Sequence, residues 1–269
     1  MSTTGTEVAQ GEVLDEGMRL VVPGRGLPVG HGWDWIAKGW GLFTRAPLMW
    51  IVALVILFVI AIVSAFVPFL GSLAFQVCQP VFAAGLIFAC RALERGGEFE
   101  LEHIFAGFTK RFVPLLIVGL IFLIASLVIM VVFFVIVGLS LIPAFLTGDQ
   151  DAFMAALMGS AMVMLMGTLV TLALFIPVLA AYWYAPALVM MHDMAPVAAM
   201  KESFFASFRN FLALFVYGLV MMVLAIIAVI PFGLGMLVWV PLAITSTYVS
   251  YRQIFTEDTV AAAPKPTMA

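Results

Sequence analysis

Long apolar runs constrain this chain more than any other feature of its sequence. They cover about residues 47–67, 70–91, 114–140, 160–189, 211–231 and 233–252. A helix needs roughly 20 apolar residues to cross a bilayer. Only 10% of the 269 residues are charged, against about 25% in soluble domains. Because the runs do not alternate with period two, the sequence predicts an all-α polytopic membrane protein with six transmembrane helices.

Short breaks rich in Pro and Gly divide these runs into pairs. Residues 67–71 (VPFLG) interrupt the first pair, and residues 230–235 (IPFGLG) interrupt the last pair. Such residues form turns, and a run of about 44 residues is too long for a single helix in a hydrocarbon layer about 30 Å thick. The middle pair is joined by a longer segment from Ser140 to Ser160. We therefore expect each pair to be a helical hairpin.

Three internal prolines indicate a repeat. Pro80, Pro177 and Pro241 each lie inside an apolar run, and Arg91 and Arg252 follow their prolines at the same distance. Proline inside a membrane helix frees carbonyl groups that neighbouring helices must satisfy, so we expect a kink that belongs to the packing of each unit. The alternative is that Pro is simply frequent in membrane helices. The pattern predicts three two-helix units, at about residues 33–95, 100–193 and 196–256.

Each predicted unit begins with an amphipathic segment that carries aromatic and basic residues. The segments are DWIAKGWGLFTR, ELEHIFAGFTKR and PVAAMKESFFASFRN. Aromatic side chains favour the headgroup layer, so we expect three interfacial helices. The polar residues 1–30 are predicted to be a disordered cytoplasmic segment without a cleaved signal peptide, residues 31–256 the transmembrane domain, and residues 257–269 a disordered cytoplasmic tail.

The distribution of basic residues predicts the orientation. With six spans, all twelve Lys and Arg fall on one side of the membrane, and Asp149 and Asp151 fall on the other. The twelve are Arg19, Arg25, Lys38, Arg45, Arg91, Arg95, Lys110, Arg111, Lys201, Arg209, Arg252 and Lys265. Positively charged loops remain cytoplasmic, so the sequence predicts a membrane protein with both termini in the cytoplasm.

Polar residues near the prolines form the first candidate site. They are Gln76, Gln79, Pro80, Thr171, Pro177, Pro241, Thr245 and Thr247. They are interpreted as packing groups that form hydrogen bonds between helices, and the alternative is a polar path lined by the three proline-bearing helices. The predicted spans carry no charged residue in their cores, which argues against a proton-coupled pump.

The second candidate site is a cytoplasmic cluster. If Arg91 and Arg252 occupy equivalent places in repeated units, they could converge with Asp193 near a shared axis. Solvated ion pairs are the simpler interpretation, and a docking surface for a soluble partner is the other.

The sequence predicts no catalytic, cofactor-binding or metal-ligating residues. It contains no P-loop, GxSxG or CxxC motif, and its three histidines lack the spacing of a metal site. Cys78 and Cys90 are twelve residues apart on one predicted helix, about 18 Å along its axis, too far for a disulfide. The methionines of residues 154–166 are interpreted as ordinary packing residues rather than copper ligands.

Several of these motifs together resemble an uncharacterised family of proteobacterial six-span inner-membrane proteins. The resemblance rests on GWDWIAKGWGLFTRAPLMWI, ACRALERGGEFELEHIFAGF, the stretch from YWYAPALVMMHD to FRNF, and YVSYRQIF. It covers about residues 18–256, and it implies a six-span topology and an inner-membrane location without any catalytic residue.

Two functions are consistent with these observations. We expect a non-enzymatic membrane component that organises or modulates a partner complex or a lipid environment. The alternative is a passive transporter or channel for a small molecule or lipid. The expected partners are the lipid bilayer and either another protein or a second copy of the chain, and no nucleic acid or cofactor is expected.

Overall fold

The computed structural model describes residues 18–146 and 150–258, and these residues are almost entirely helical. The helices are α1 (His31–Phe43), α2 (Pro47–Ala65), α3 (Leu70–Glu94), α4 (Ala106–Lys110), α5 (Phe112–Leu146), α6 (Gln150–Gly159), α7 (Ala161–Trp183), α8 (Ala185–His192), α9 (Pro196–Arg209), α10 (Phe211–Val229) and α11 (Met236–Phe255). A 3₁₀-helix, Leu101–Phe105, precedes α4, and two short strands, β1 (Met18–Leu20) and β2 (Thr256–Asp258), pair with each other.

Five helical stretches in the described part of the chain are long and apolar enough to cross a membrane. They are α2, α3, residues Phe112–Leu139 of α5, the combined Ala161–His192, and α10. These stretches confirm the prediction of an all-α membrane protein with several spans. The predicted sixth run corresponds to α11, which lies outside this set because it carries Tyr248, Ser250 and Arg252 among its apolar residues. Its crossing of the membrane stays a prediction.

The first and last hairpins share one backbone feature. Phe69 and Phe232 both have a positive φ, 59° and 55°, which is rare for an aromatic residue. Each follows a proline at the tip of its hairpin, and both side chains are exposed. Both hairpins therefore place an exposed phenylalanine with a left-handed φ directly after a proline.

The connection inside the middle pair contains helical structure. Helix α5 continues to Leu146, and α6 occupies Gln150–Gly159. Residues 147–149, which include Asp149, lie outside the described residues.

Residues 18–30 are held in place by hydrogen bonds, whereas the sequence predicted disorder for them. The Arg25 N–H donates to the Ile254 carbonyl at 2.8 Å, and the Leu27 N–H donates to Asn210 Oδ1 at 2.7 Å. In the β1–β2 pair, Arg19 lies opposite Glu257. These partners are more than 180 residues away in sequence, so the local Gly- and Pro-rich composition gave no indication of them. Glu257 and Asp258, predicted to begin the disordered tail, lie in β2. The disorder predicted for residues 1–17 and 259–269 lies outside the described residues.

Helix α11 lies at the centre of the packing, in contact with α1, α2, α3 and α10. Helix α1 packs against α10 and α11. The Trp35 ring is fully buried, packs edge-on against Tyr217, and donates from Nε1 to Gln253 Oε1 at 3.0 Å. The backbones of α1 and α11 approach closely at Gly39, which faces Ser246. The segment before the first span is therefore part of the core.

Candidate functional site

A charged cluster joins the ends of α3 and α11. Arg252 Nε lies 2.9 Å from Glu94 Oε2, and the hydroxyl of the buried Tyr248 donates to the same carboxylate at 2.6 Å. Arg91 is one turn before Glu94 on α3, and its Nη1 lies 3.5 Å from the Met191 sulfur. The structure thus brings Arg91 and Arg252, which the sequence singled out, to the same end of the bundle. We call this the basic end.

Asp193 has a different partner from the one proposed. Its carboxylate pairs with Arg111 Nη1 at 2.7 Å and is more than half exposed. The neighbouring His192 contacts α11, and its Nε2 lies 2.5 Å from the Tyr251 hydroxyl. Asp193 follows the last residue of α8 with a left-handed backbone, φ 52°, which turns it away from the direction of that helix. A functional role for Arg91, Asp193 and Arg252 stays a prediction.

The three prolines lie inside helices α3, α7 and α11. Pro80 and Pro241 are buried, and Pro177 is half-buried. Among the polar residues near them, Thr171 donates to Gly167 O at 2.8 Å and Thr245 donates to Leu242 O at 3.1 Å. Both bonds are within the residue's own helix.

The remaining members of this candidate site differ in exposure. Gln76 and Thr247 are half-buried, and Gln79 is exposed. The carbonyl of Thr247 accepts a hydrogen bond from the Ser250 hydroxyl at 2.8 Å. A polar path along these residues stays a prediction.

A break between α7 and α8 was missed by the sequence analysis. Pro186 has no N–H and disfavours helical geometry in the residues before it. At the break, the Tyr184 N–H donates to Ser203 Oγ at 2.9 Å, and the Ser203 hydroxyl donates to the Ala180 carbonyl at 2.7 Å. A buried serine of α9 thus satisfies both backbone groups that the break releases. The YAP triplet at 184–186 was the signal that could have revealed it.

A cationic cavity lies at the basic end, between α1 and the last turns of α11. Its volume is about 810 Å³. The side chains and backbone that line it are Arg25, Lys38, Gly41, Leu42, Arg45, Glu94, Val249, Arg252, Gln253, Thr256 and Glu257. The charge distribution along the sequence predicts that these basic residues share one face of the membrane, but it does not predict that they surround a cavity.

An apolar cavity of about 370 Å³ lies beside the α7–α8 break. The lining residues come from α7, α9, α10 and α11, and they are Ile176, Leu179, Ala180, Trp183, Ser207, Phe208, Phe211, Leu214, Phe215, Tyr217, Gly218, Met221, Trp239 and Ala243. Helices α7 and α10 form two of its walls. Several residues at its rim are large, apolar and about half exposed, including Ile176, Phe211 and Phe215.

Polar groups are few in the apolar cavity and nearly all have partners. The Tyr217 hydroxyl lies 2.9 Å from Ser246 Oγ, and Trp239 Nε1 donates to Met221 O at 2.8 Å. Ser207 donates to Ala180 O at 3.2 Å. Trp183 Nε1 is buried and has no hydrogen-bond partner among the described residues. An occupant of this cavity would be largely apolar.

The comparisons with known proteins give a family and one relative. A family model described as a protein of unknown function (DUF975) matches residues 40–258. A probable inner membrane protein of Burkholderia thailandensis is 28% identical over 214 residues, which is 77% of each chain. No solved structure matches the chain. The resemblance to an uncharacterised inner-membrane family is therefore confirmed.

Proposed function

The chain belongs to the DUF975 family of proteins of unknown function, and from that premise we propose that it is a non-enzymatic inner-membrane protein that holds lipid and thereby modulates its lipid environment. It is a multi-pass membrane protein, as its long apolar helices and its Burkholderia relative indicate. The observation that carries the proposal is the apolar cavity between α7 and α10.

The walls of this cavity fit an acyl chain. A volume of about 370 Å³ lies at the lower end of the range for small-molecule sites, roughly 300–1,000 Å³. The rim consists of exposed apolar side chains on helices that span the bilayer, so hydrocarbon chains of the surrounding lipid would meet it directly. Burial of each CH₂ group contributes about 0.8 kcal/mol when it leaves water, but a chain that moves from bilayer to cavity gains mainly from shape and close packing.

The polar edge of the cavity fits the ester region of a lipid. Trp183 Nε1 is a buried donor without a protein partner in the described part of the chain. An unsatisfied buried donor costs about 1–3 kcal/mol, and the ester carbonyl of a phospholipid is an acceptor that would pair with it. The α7–α8 break brings this edge close to α9, whose aromatic side chains Phe205 and Phe208 are exposed in the manner of an interfacial helix.

The proposed topology has six spans with both termini in the cytoplasm. Helix α11 would be the sixth span, because its polar residues Thr245, Ser246 and Ser250 are buried among neighbouring helices instead of facing lipid. The pairing of β1 with β2 supports an even number of crossings, since it holds the two ends of the described chain together.

Three related units remain part of the proposal. Each pair of long helices is preceded by short helical structure: α1, then the 3₁₀-helix with α4, then α9. The prolines of α3, α7 and α11 and the positive φ that Phe69 and Phe232 share support this arrangement.

Filling the apolar cavity should reduce lipid retention. Gly218 lies in the cavity wall, and a Cβ at this position would meet no atom within 4 Å, so Gly218→Leu projects a side chain into open space. We expect the purified Gly218→Leu protein to retain at least about threefold less phospholipid through detergent washing, measured by native mass spectrometry or by lipid extraction. A threefold change corresponds to roughly 0.6 kcal/mol.

Gly138→Leu is the matched control. Gly138 is on α5, away from the cavity, and a Cβ there also meets no atom within 4 Å. Equal retention by both variants, with unchanged thermal stability, would contradict lipid binding in this cavity.

Thiol labelling separates this proposal from a passive channel. Single cysteines at Gln79, Thr171 and Thr247 in a background without Cys78 and Cys90 should resist a membrane-impermeant maleimide, because maleimide reacts with the thiolate and a thiol surrounded by hydrocarbon does not ionise. Glu98→Cys, at an exposed position after α3, is the positive control in inside-out vesicles. Labelling at all three test positions would indicate an aqueous path and favour the channel.

A further inference from the structure

We infer that the cationic cavity at the basic end is a binding site for a phosphate-bearing anion. This inference concerns a different cavity from the one that carries the proposed function, and it does not depend on that function. The cavity is formed by the end of α1, the last turns of α11, the end of α3 and residue Arg25.

The charge of the lining favours an anion. Four cationic side chains, Arg25, Lys38, Arg45 and Arg252, face two carboxylates, Glu94 and Glu257. Glu94 is already engaged by Arg252 at 2.9 Å and by the Tyr248 hydroxyl at 2.6 Å. The lining therefore has an excess of two positive charges, with the Glu94–Arg252 ion pair already counted.

The guanidinium groups are held in place by the protein. Arg45 Nη1 donates to the Leu93 carbonyl at 2.5 Å, and Arg25 Nη2 donates to the Thr256 carbonyl. A guanidinium has five N–H donors, so these single bonds orient Arg25 and Arg45 while leaving donors for a ligand. Arg252 Nη1 donates to Thr256 Oγ1 at 2.7 Å and is fixed in the same wall.

An organic phosphate matches both the charge and the size of this cavity. Arginine binds phosphate oxygens through paired, charge-assisted hydrogen bonds. A cavity of about 810 Å³ falls within the range for organic ligands, roughly 300–1,000 Å³. The ligand would therefore be an organic phosphate, which is either the headgroup of an anionic lipid or a soluble phosphate ester.

The two sources can be separated by titration of the purified protein in a neutral detergent. One arm uses short-chain dihexanoyl phosphatidylglycerol below its micellar concentration, and the other uses soluble glycerol 3-phosphate and adenosine triphosphate. Dihexanoyl phosphatidylcholine controls for acyl-chain binding. Saturable binding measured by calorimetry, weakened by salt because the charges are partly exposed, is expected in at least one anionic arm.

The variants locate the site. We expect Lys38→Gln combined with Arg45→Gln to weaken binding about tenfold or more, as the loss of charge-assisted hydrogen bonds predicts. Gly41→Leu should also weaken it, because the new side chain extends into the cavity while its Cβ meets no atom within 4 Å. Lys201→Gln, at an exposed position of α9 outside the lining, should leave the affinity unchanged.

Each outcome bears on the inference. Binding of the lipid alone identifies a headgroup site, and binding of a soluble ester identifies a metabolite site. No saturable binding in either anionic arm, or an equal loss in the Lys201→Gln control, would overturn the inference. Because Gly41→Leu breaks no protein contact, unaltered affinity in a folded Gly41→Leu protein also counts against it. If no anion binds but lipid retention at the apolar cavity is intact, the proposed function is unaffected. If lipid retention fails but the anion binds, this inference is unaffected.

Discussion

Alkaline phosphatase fused after the last residue is expected to be inactive, and a green fluorescent protein at the same position is expected to be fluorescent. Alkaline phosphatase needs disulfides that form only in the periplasm, so its activity reports the side of the membrane. The proposed six spans return the C-terminus to the cytoplasm. If α11 did not cross, Arg252 and everything after it would lie on the periplasmic side, and the two reporters would exchange their signals.

Two truncated fusions calibrate this experiment. A phosphatase joined after Gly159, between α5 and α7, should be active, and one joined after Gly96, beyond the end of α3, should be inactive. The expected contrast in phosphatase activity is close to all or none, because each fusion point lies on one side of the membrane or the other. High phosphatase activity at the C-terminus together with high activity after Gly159 would contradict the six-span proposal.

Gly39→Leu is expected to cause the largest loss of stability of any single substitution considered in this protein. A Cβ at Gly39 would lie 2.7 Å from Ser246 N and 2.8 Å from Ser246 Cα, and neither backbone atom can move without displacing α11. Overpacking in a core typically costs about 1–3 kcal/mol and more where backbone must shift. We expect the variant to fall at or above the upper end of that range, with a lowered thermal midpoint in detergent and reduced accumulation in the membrane.

Gly41→Leu is the matched control for this experiment. It places the same side chain two residues further along α1, where a Cβ meets no atom within 4 Å. The thermal midpoint of Gly41→Leu should remain close to that of the unaltered protein. A similar loss in both variants would show that α1 does not depend on its close approach to α11.

The long apolar helices could be predicted because each depends on its own residues. The predicted runs at about 47–67 and 211–231 agree with α2 and α10 within two residues. The run at about 160–189 was less accurate, because Pro186 ends the helical geometry near Tyr184 and begins α8. An apolar run reports hydrophobicity over its whole length, but it does not show where one helix stops inside it.

Residues 18–30 show where composition misleads. They contain three glycines and two prolines, which in isolation favour disorder. Their order comes from the side chain of Asn210, whose Nδ2 donates to Arg25 O at 2.9 Å, and from backbone bonds to the end of α11. Such contacts appear only after the chain has folded, so no local pattern encodes them.

The candidate sites were also predicted in part from the sequence. The sequence identified Arg91 and Arg252 as a pair through their equal distances from Pro80 and Pro241, and the structure brings both to the end where α3 and α11 meet. It also grouped Asp193 with them, but this carboxylate pairs with Arg111. Spacing along a helix predicts which end a residue reaches, whereas the choice of partner depends on how neighbouring helices are rotated.

The amino-acid sequence by itself determined that this is an all-helical membrane protein, because transfer of an apolar segment into lipid is a property of that segment alone. Only the tertiary structure decided which polar groups meet and where cavities remain. Arg252 reaches Glu94 across 158 positions, and the two cavities are bounded by helices distant in sequence. Those features depend on distances between helices, which follow from the packing of the whole chain.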